Sequence, residues 1–214
     1  MNQAERVFIQ TVKSHYKKYG RHDLPWRETA DAYKIVVSEI MLQQTQVDRV
    51  IPKYTAFLKK FPTIQKLAKA QLADVLALWS GLGYNRRAKY LHQMAQVVIS
   101  EYKGKLPTTI EGLKALPGIG PYTAGAIYAF AYNKPVPMIE TNIRTVYIHH
   151  FFPIKKSVSD KDLMNVIEQT LDTKHPREWY WALMDYGSYL KSTGVKNNAK
   201  SKHYTKQSKF EGSK

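Results

Sequence analysis

The sequence predicts an all-α protein, and three observations carry that prediction. Apolar residues recur at helical spacing in block after block, strand-like alternation is nearly absent, and capping residues or prolines punctuate the blocks at short intervals. Phe8, Val12 and Tyr16 line one face of an opening helix. Ile35, Val36, Ile40, Met41 and Val47 mark a second, and Val50, Ile51, Tyr54, Phe57 and Leu58 a third. Short helices fit 64–68 and 72–79, followed by a long one from about Arg86 to Tyr102. Thr108 or Thr109 suits the N-cap of a short helix leading to Leu116, since a hydroxyl there accepts from a first-turn N–H. Pro137 opens a segment running to about Phe152, Ser159 caps 163–171, and Pro176 starts the last helix, 179–190.

The stretch Leu116-Pro117-Gly118-Ile119-Gly120, followed by Pro121-Tyr122-Thr123-Ala124, is the most informative local string. Glycine lacks a Cβ and adopts positive φ, so such a turn presses its backbone close to another molecule. Pro121 sits where a first helical turn has no hydrogen bond to lose. The product is a positive helix end suited to one phosphate, although many such connections serve structure alone.

Charge points the same way. The 214 residues carry 33 Lys+Arg against 17 Asp+Glu, a formal net charge of +16. That excess is an electrostatic footprint for nucleic acid, with strong salt dependence expected; a merely solubilising cationic surface is the alternative. Cysteine is absent, which excludes disulfides, thiolate metal sites, iron–sulfur clusters and a cysteine nucleophile. No metal site is expected: His149 and His150 are adjacent, and adjacent residues on a helix point in different directions. No apolar run approaches the roughly 20 residues of a membrane span, and the first residues lack a signal-peptide layout. A cytoplasmic protein follows, nucleoid-associated in a prokaryote, with no membrane partner and a monomer as the default. From Lys191 onward seven lysines face a single glutamate, so 191–214 reads as a disordered or loosely docked basic tail.

Two carboxylates stand out because their neighbours are apolar or neutral: Glu39 in Ile35–Leu42 and Glu140 in Val136–Asn142. A carboxylate so placed loses hydration, which favours its protonated form and makes it a candidate acid at neutral pH. Each alone also reads as a helix-start or rim carboxylate.

Four strings then appear in order: Ser38-Glu39-Ile40-Met41-Leu42-Gln43-Gln44-Thr45-Gln46-Val47, Trp79-Ser80-Gly81-Leu82-Gly83-Tyr84, Leu116-Pro117-Gly118-Ile119-Gly120, and Ala182-Leu183-Met184-Asp185-Tyr186-Gly187. Together they closely resemble the MutY-type adenine DNA glycosylases of the helix-hairpin-helix (HhH-GPD) base-excision repair superfamily. The resemblance covers about residues 20 to 190. It implies two helical lobes: a six-helix barrel-like lobe with the hairpin over 27–133, and a second lobe combining 1–26 with 134–190. Glu39 and Tyr122 would line a cleft from one side and Glu140 from the other.

The resemblance also implies roles. Glu39 matches the general acid that protonates the adenine ring so that the base leaves neutral. Glu140 falls where the family has an Asp whose charge stabilises the oxocarbenium-like sugar, and Asn142 matches a residue that orients this carboxylate. Gln43, Gln44 and Tyr84 match residues that fill the duplex once the nucleotide is flipped out. Leu116, Gly118, Ile119, Gly120 and Thr123 match the DNA-binding hairpin. Trp26 and Arg27 match the rim of the base pocket, with an ordinary Trp anchor and surface Arg as the other reading. Tyr122 stands where bifunctional relatives carry a Schiff-base lysine, which implies a glycosylase without lyase activity.

Three departures qualify the match. Glu140 is one methylene longer than Asp, the cluster-binding cysteines are absent with Lys191 at the first of their positions, and the chain stops before the domain that reads 8-oxoguanine. The expected function is therefore monofunctional removal of adenine mispaired with guanine or 8-oxoguanine in double-stranded DNA, with no cofactor. A thymine or uracil glycosylase acting on T:G or U:G is the second reading, and a non-catalytic mismatch-binding module the third.

Overall fold

The computed structural model describes residues 2–203. Among them the chain forms α1 (Gln3–Tyr19), α2 (Ala32–Leu42), α3 (Val47–Lys60), α4 (Ile64–Ala68), α5 (Leu72–Trp79), α6 (Arg86–Glu101), α7 (Ile110–Lys114), α8 (Pro121–Phe130), α9 (Thr141–Phe151), α10 (Asp160–Thr170) and α11 (Pro176–Ser192), then a 3-10 turn, Asn197–Lys200. An isolated bridge between Val158 and Ser201 is the extent of β structure among the described residues, so the fold is all-α as the periodicity predicts.

The chain divides into two compact units. One is His22–Tyr132; the other takes the chain up to Arg21 and resumes at Asn133. In the first, α2 is the central helix: Tyr33, Ile35, Val36, Val37, Ser38, Glu39, Ile40 and Met41 are all buried, because α8, α3 and α6 pack around it. Phe57, Trp79, Leu91, Met94 and Ile127 complete that core. Residues 22–26, expected with the N-terminal helix, belong here instead, because Trp26 is buried edge-on against Tyr54 at 5.5 Å. The helix expected from Ile35 to Val47 ends at Leu42, and Val47 opens α3. Gln44 at φ 57 cannot continue a right-handed helix.

In the other unit, α9 and α11 pack on each other, with α1 against α11 and α10 against α9. Phe8 of α1 supplies the apolar anchor, 5.1 Å from the Tyr147 ring and edge-on to Trp179 at 5.9 Å. α9 starts later than expected from Pro137. Residues 133–140 run without helix, Tyr180 donates to the Val136 carbonyl at 2.5 Å, and Glu140 rather than a proline provides the N-cap.

The basic tail expected from Lys191 is docked over its first part. α11 continues to Ser192, and Asn198 is buried, donating to Thr141 O at 3.3 Å and accepting from Thr145 Oγ1 at 3.2 Å. Ser201 accepts from Arg144 at 2.7 Å, and the same guanidinium pairs with Asp160. Polar satisfaction, invisible to hydrophobic periodicity, holds this segment. The remainder of the expected tail, 204–214, lies outside the described residues.

Gly187 permits a close helix contact in this unit. A Cβ there would stand 2.5 Å from the Asn142 carbonyl oxygen, which is backbone and cannot swing away. Gly187→Ala is therefore expected to cost about 2–3 kcal/mol, a fall in Tm of roughly 5–10 °C, measured by thermal denaturation. An unchanged Tm would show that α9 and α11 separate at no cost.

Candidate active site

Glu39 occupies α2 three residues before its end, and its side chain is 8% exposed. It is thus a buried carboxylate in a helix otherwise built of apolar contacts, on the element against which α8 packs. Tyr122 lies half-buried in the first turn of α8. Thr123, expected to face DNA, is buried instead, and its Oγ1 accepts from Gln43 Nε2 at 3.2 Å. The start of α8 therefore holds Gln43, the residue that follows α2.

Gln44 and Tyr84 sit at the tips of the two loops beside that junction, at φ 57 and φ 48. Left-handed backbone is costly for residues with a Cβ, about 1–3 kcal/mol each, and persists only where surroundings enforce it. Both side chains are exposed. Arg87, which sequence reasoning missed, supplies the enforcement. Its buried guanidinium donates through Nη1 to the carbonyls of Ile40 at 2.9 Å, Met41 at 3.0 Å and Gln43. Through Nη2 it donates to Thr45 Oγ1 at 3.1 Å, Leu82 O at 2.9 Å and Gly83 O at 3.1 Å. It also lies over the Trp79 and Tyr84 rings, at 5.5 and 5.7 Å. Burial pushes its pKa down to about 10, so it remains a cation at neutral pH. A signal existed: two arginines open α6, where the helix dipole disfavours positive charge, so one of them needed another reason to be there.

The hairpin turn is built as its glycines require. Gly118 has φ 76, and a Cβ on it would meet Tyr90 Cβ at 2.7 Å; Gly120 is the N-cap of α8, with no side-chain cap and Pro121 following. Leu116 and Ile119 are buried, so their side chains anchor the turn and leave its backbone to face outward. Trp26 is in the core and Arg27 half-buried.

Glu140 caps α9 with its own carboxylate. Oε1 accepts from the Asn142 and Ile143 amides at 2.6 and 2.9 Å, and Oε2 accepts weakly from Asn142 Nδ2 at 3.4 Å. Lost hydration raises its pKa above the ordinary value, opposed by the Ile143 amide, the Lys191 charge and the Asn142 groups. Asn142 Oδ1 beside it is buried with no hydrogen-bond partner, an acceptor that a water or substrate group would satisfy. His149 and His150 end α9; burial lowers the pKa of His150 to about 4, and its ring meets the Tyr186 hydroxyl at 3.1 Å. No group of three or more His, Cys, Asp or Glu able to hold a metal occurs among the described residues. An iron–sulfur cluster does not fit the end of α11 either: it needs thiolates, and the chain has none.

A family model described as HhH-GPD superfamily base excision DNA repair protein matches residues 37–171. The chain is 39% identical over 185 residues to the adenine DNA glycosylase of Buchnera aphidicola subsp. Baizongia pistaciae, covering 86% of this chain and 53% of that protein. It is 42% identical over 174 residues to the adenine DNA glycosylase of Mycolicibacterium smegmatis, covering 79% and 59%. It thus spans about half the length of the curated relatives it matches. Among solved structures it is similar to a thermostable thymine-DNA glycosylase, with a TM-score of 0.81, 27% identity, and 95% of this chain and 97% of that one covered.

Two measurements follow. Arg87→Met is expected to lose about 3 kcal/mol or more, because several carbonyls lose their donor. Arg87→Lys should recover less than half of that, since one ammonium cannot replace the guanidinium fork; urea denaturation checks both, and full rescue by Lys would refute the clamp. For Glu140, a raised folded-state pKa means that stability present at low pH is lost as pH rises through the folded value. Glu140→Gln escapes that loss, so its urea midpoint should exceed wild type at pH 8 and converge with it toward pH 4.

Proposed function

The chain belongs to the HhH-GPD superfamily of base excision DNA repair proteins, and from that premise we propose that it is a monofunctional DNA glycosylase that removes adenine mispaired with guanine or 8-oxoguanine. The observation that carries the reading is the burial of Glu39 in the apolar helix that ends in the clamped Gln43–Gln44 loop. Adenine activity also accords with the names of relatives about 40% identical.

The proposed chemistry assigns each residue one job. With the nucleotide turned out of the stack, Gln44 and Tyr84 occupy the space it leaves, since exposed tips on enforced backbone insert without first having to order. Glu39 transfers its proton to the adenine ring, so the base departs neutral. Glu140, ionised, offsets the positive charge that develops on the sugar as the C1′–N9 bond breaks. Water then adds at C1′, leaving an abasic site, free adenine and a proton to restore Glu39. Tyr122 offers no amine for β-elimination, so the strand stays intact. The net charge of +16 holds the duplex through its phosphates, with the hairpin turn binding one of them. With no thiolate in the chain, none of these steps involves a cluster.

A second reading has its own support. The thymine-DNA glycosylase is matched along nearly its whole length, and Glu140 departs from the Asp that the resemblance to adenine enzymes implies. Removal of thymine or uracil opposite guanine is then the reaction, with less need for ring protonation.

Single-turnover cleavage of A:G, A:8-oxoguanine, T:G and U:G duplexes, with alkali to reveal abasic sites, separates them. Cleavage confined to the adenine strands, reduced about 10²–10⁴-fold in Glu39→Gln, is expected for a general acid. Intact adenine with cut T:G or U:G moves the assignment to the second reading, and tight binding without any cleavage removes the enzyme.

A further inference from the structure

The surroundings of Glu140 contain a cation that the proposed chemistry does not use. Gly187 presses α11 onto the first turn of α9, so closely that a Cβ would meet Asn142 O at 2.5 Å. Lys191 lies four residues further along α11, on the same face of the helix. Its charge acts on Glu140, and the charge of Glu140 acts on it in return. The residue is exposed as a whole, yet its pKa is lowered, chiefly by lost hydration, with Glu140 raising it and Arg21 lowering it.

The other charged groups around this cap are engaged elsewhere. Arg21 gives its backbone N–H to Asp185 Oδ2 at 2.8 Å and its guanidinium to Asp185 Oδ1 at 2.8 and 2.5 Å. Asp185 is buried and also faces His15 of α1, whose pKa falls mainly through burial while Asp185 raises it. On α9, Tyr147 is buried with its hydroxyl against Thr170 Oγ1 at 2.7 Å, and His149 and His150 lie at the far end. Arg144, in the first turn of α9, is committed to Asp160 and Ser201.

We infer that Lys191 is a positioning residue for the reaction: its ammonium, carried toward the first turn of α9 by the close seat of Gly187, keeps the Glu140 carboxylate ionised at the cap while the glycosidic bond breaks. The inference rests on the reading of Glu140 as the charge that stabilises the sugar. A carboxylate that has lost hydration serves that purpose only if something favours its ionised form, and two backbone amides with one neighbouring cation do so here. The cation carries a cost, because it also opposes the positive sugar. Its benefit is therefore confined to pH values at which Glu140 would otherwise take up a proton.

That confinement gives the test. The intact protein, labelled with 13C at glutamate side chains and with Glu140 assigned through Glu140→Gln, is titrated by NMR as wild type, Lys191→Met and Lys191→Arg. The Glu140 midpoint is expected to move upward in Lys191→Met and to return in Lys191→Arg. Single-turnover cleavage by Lys191→Met should be lost on the acidic side of the pH profile, where Glu140 takes up its proton, and should match or exceed wild type on the alkaline side. An unmoved midpoint, an equal loss at every pH, or no rescue by arginine overturns the inference. Full activity in Glu140→Gln would instead remove Glu140 from the proposed chemistry, while the NMR midpoints still decide whether Lys191 holds its charge.

Discussion

The guanidinium of Arg87 is the interaction on which the geometry of the His22–Tyr132 unit depends. Six hydrogen bonds from two nitrogens join the last carbonyls of α2 to the loop that follows it and to the loop before α6. The Thr45 hydroxyl adds a longer contact of its own between the two loops, donating to Leu82 O at 3.4 Å. A buried cation surrounded by carbonyls is stable for the same reason that a helix C-terminus attracts positive charge: the dipoles are already aligned. The left-handed backbone at Gln44 and Tyr84 is thereby set before any ligand arrives, and ordering these tips is not left to the moment of binding.

The two carboxylates show how different local structures prepare the same functional group. Glu39 sits within a helix, where the backbone amides near it are already paired along the helix, and its side chain is buried. Glu140 sits at a helix start, where amides have no helical partner and point at the carboxylate. The second setting turns unpaired amides toward the carboxylate, which favours its charge. Burial works against that charge on Glu140.

Much of this was legible in the sequence because it rests on periodicity and on glycine. Phe8, Val12 and Tyr16 are buried on one face of α1, and Thr109 and Ser159 cap α7 and α10, as side-chain type and spacing require. The turn at Gly118 follows from its freedom to take φ 76. What escaped was held by polar contacts between distant segments. The end of α2 at Leu42 is set by an arginine some 45 residues onward, so periodicity ran the helix through to Val47. The docking of residues 197–201 depends on Asn198 and Arg144 finding partners on α9 and at Asp160, and a lysine-rich composition concealed it. Thr123, Leu116 and Ile119 lie in the hairpin string, yet their side chains face the core, which a motif cannot distinguish from facing a ligand.

The glutamate at position 140 is the point where residue type and geometry most need reconciling. Glutamate is a poor N-cap because its extra methylene carries the carboxylate past the first-turn amides, which aspartate reaches directly. Here the side chain bends back so that one oxygen accepts from both Asn142 and Ile143, and the charge returns to the helix start instead of projecting beyond it. The added length appears as burial, since the folded-back carboxylate gives up hydration that a straight one would keep. Burial in turn raises the pKa of the group whose ionised form the chemistry needs, and a neighbouring cation is the direct electrostatic remedy. The close packing of α11 on α9 at Gly187 is what makes such a cation available from the chain itself, so the longer carboxylate, the glycine contact and Lys191 form one connected solution to keeping a charge at this cap.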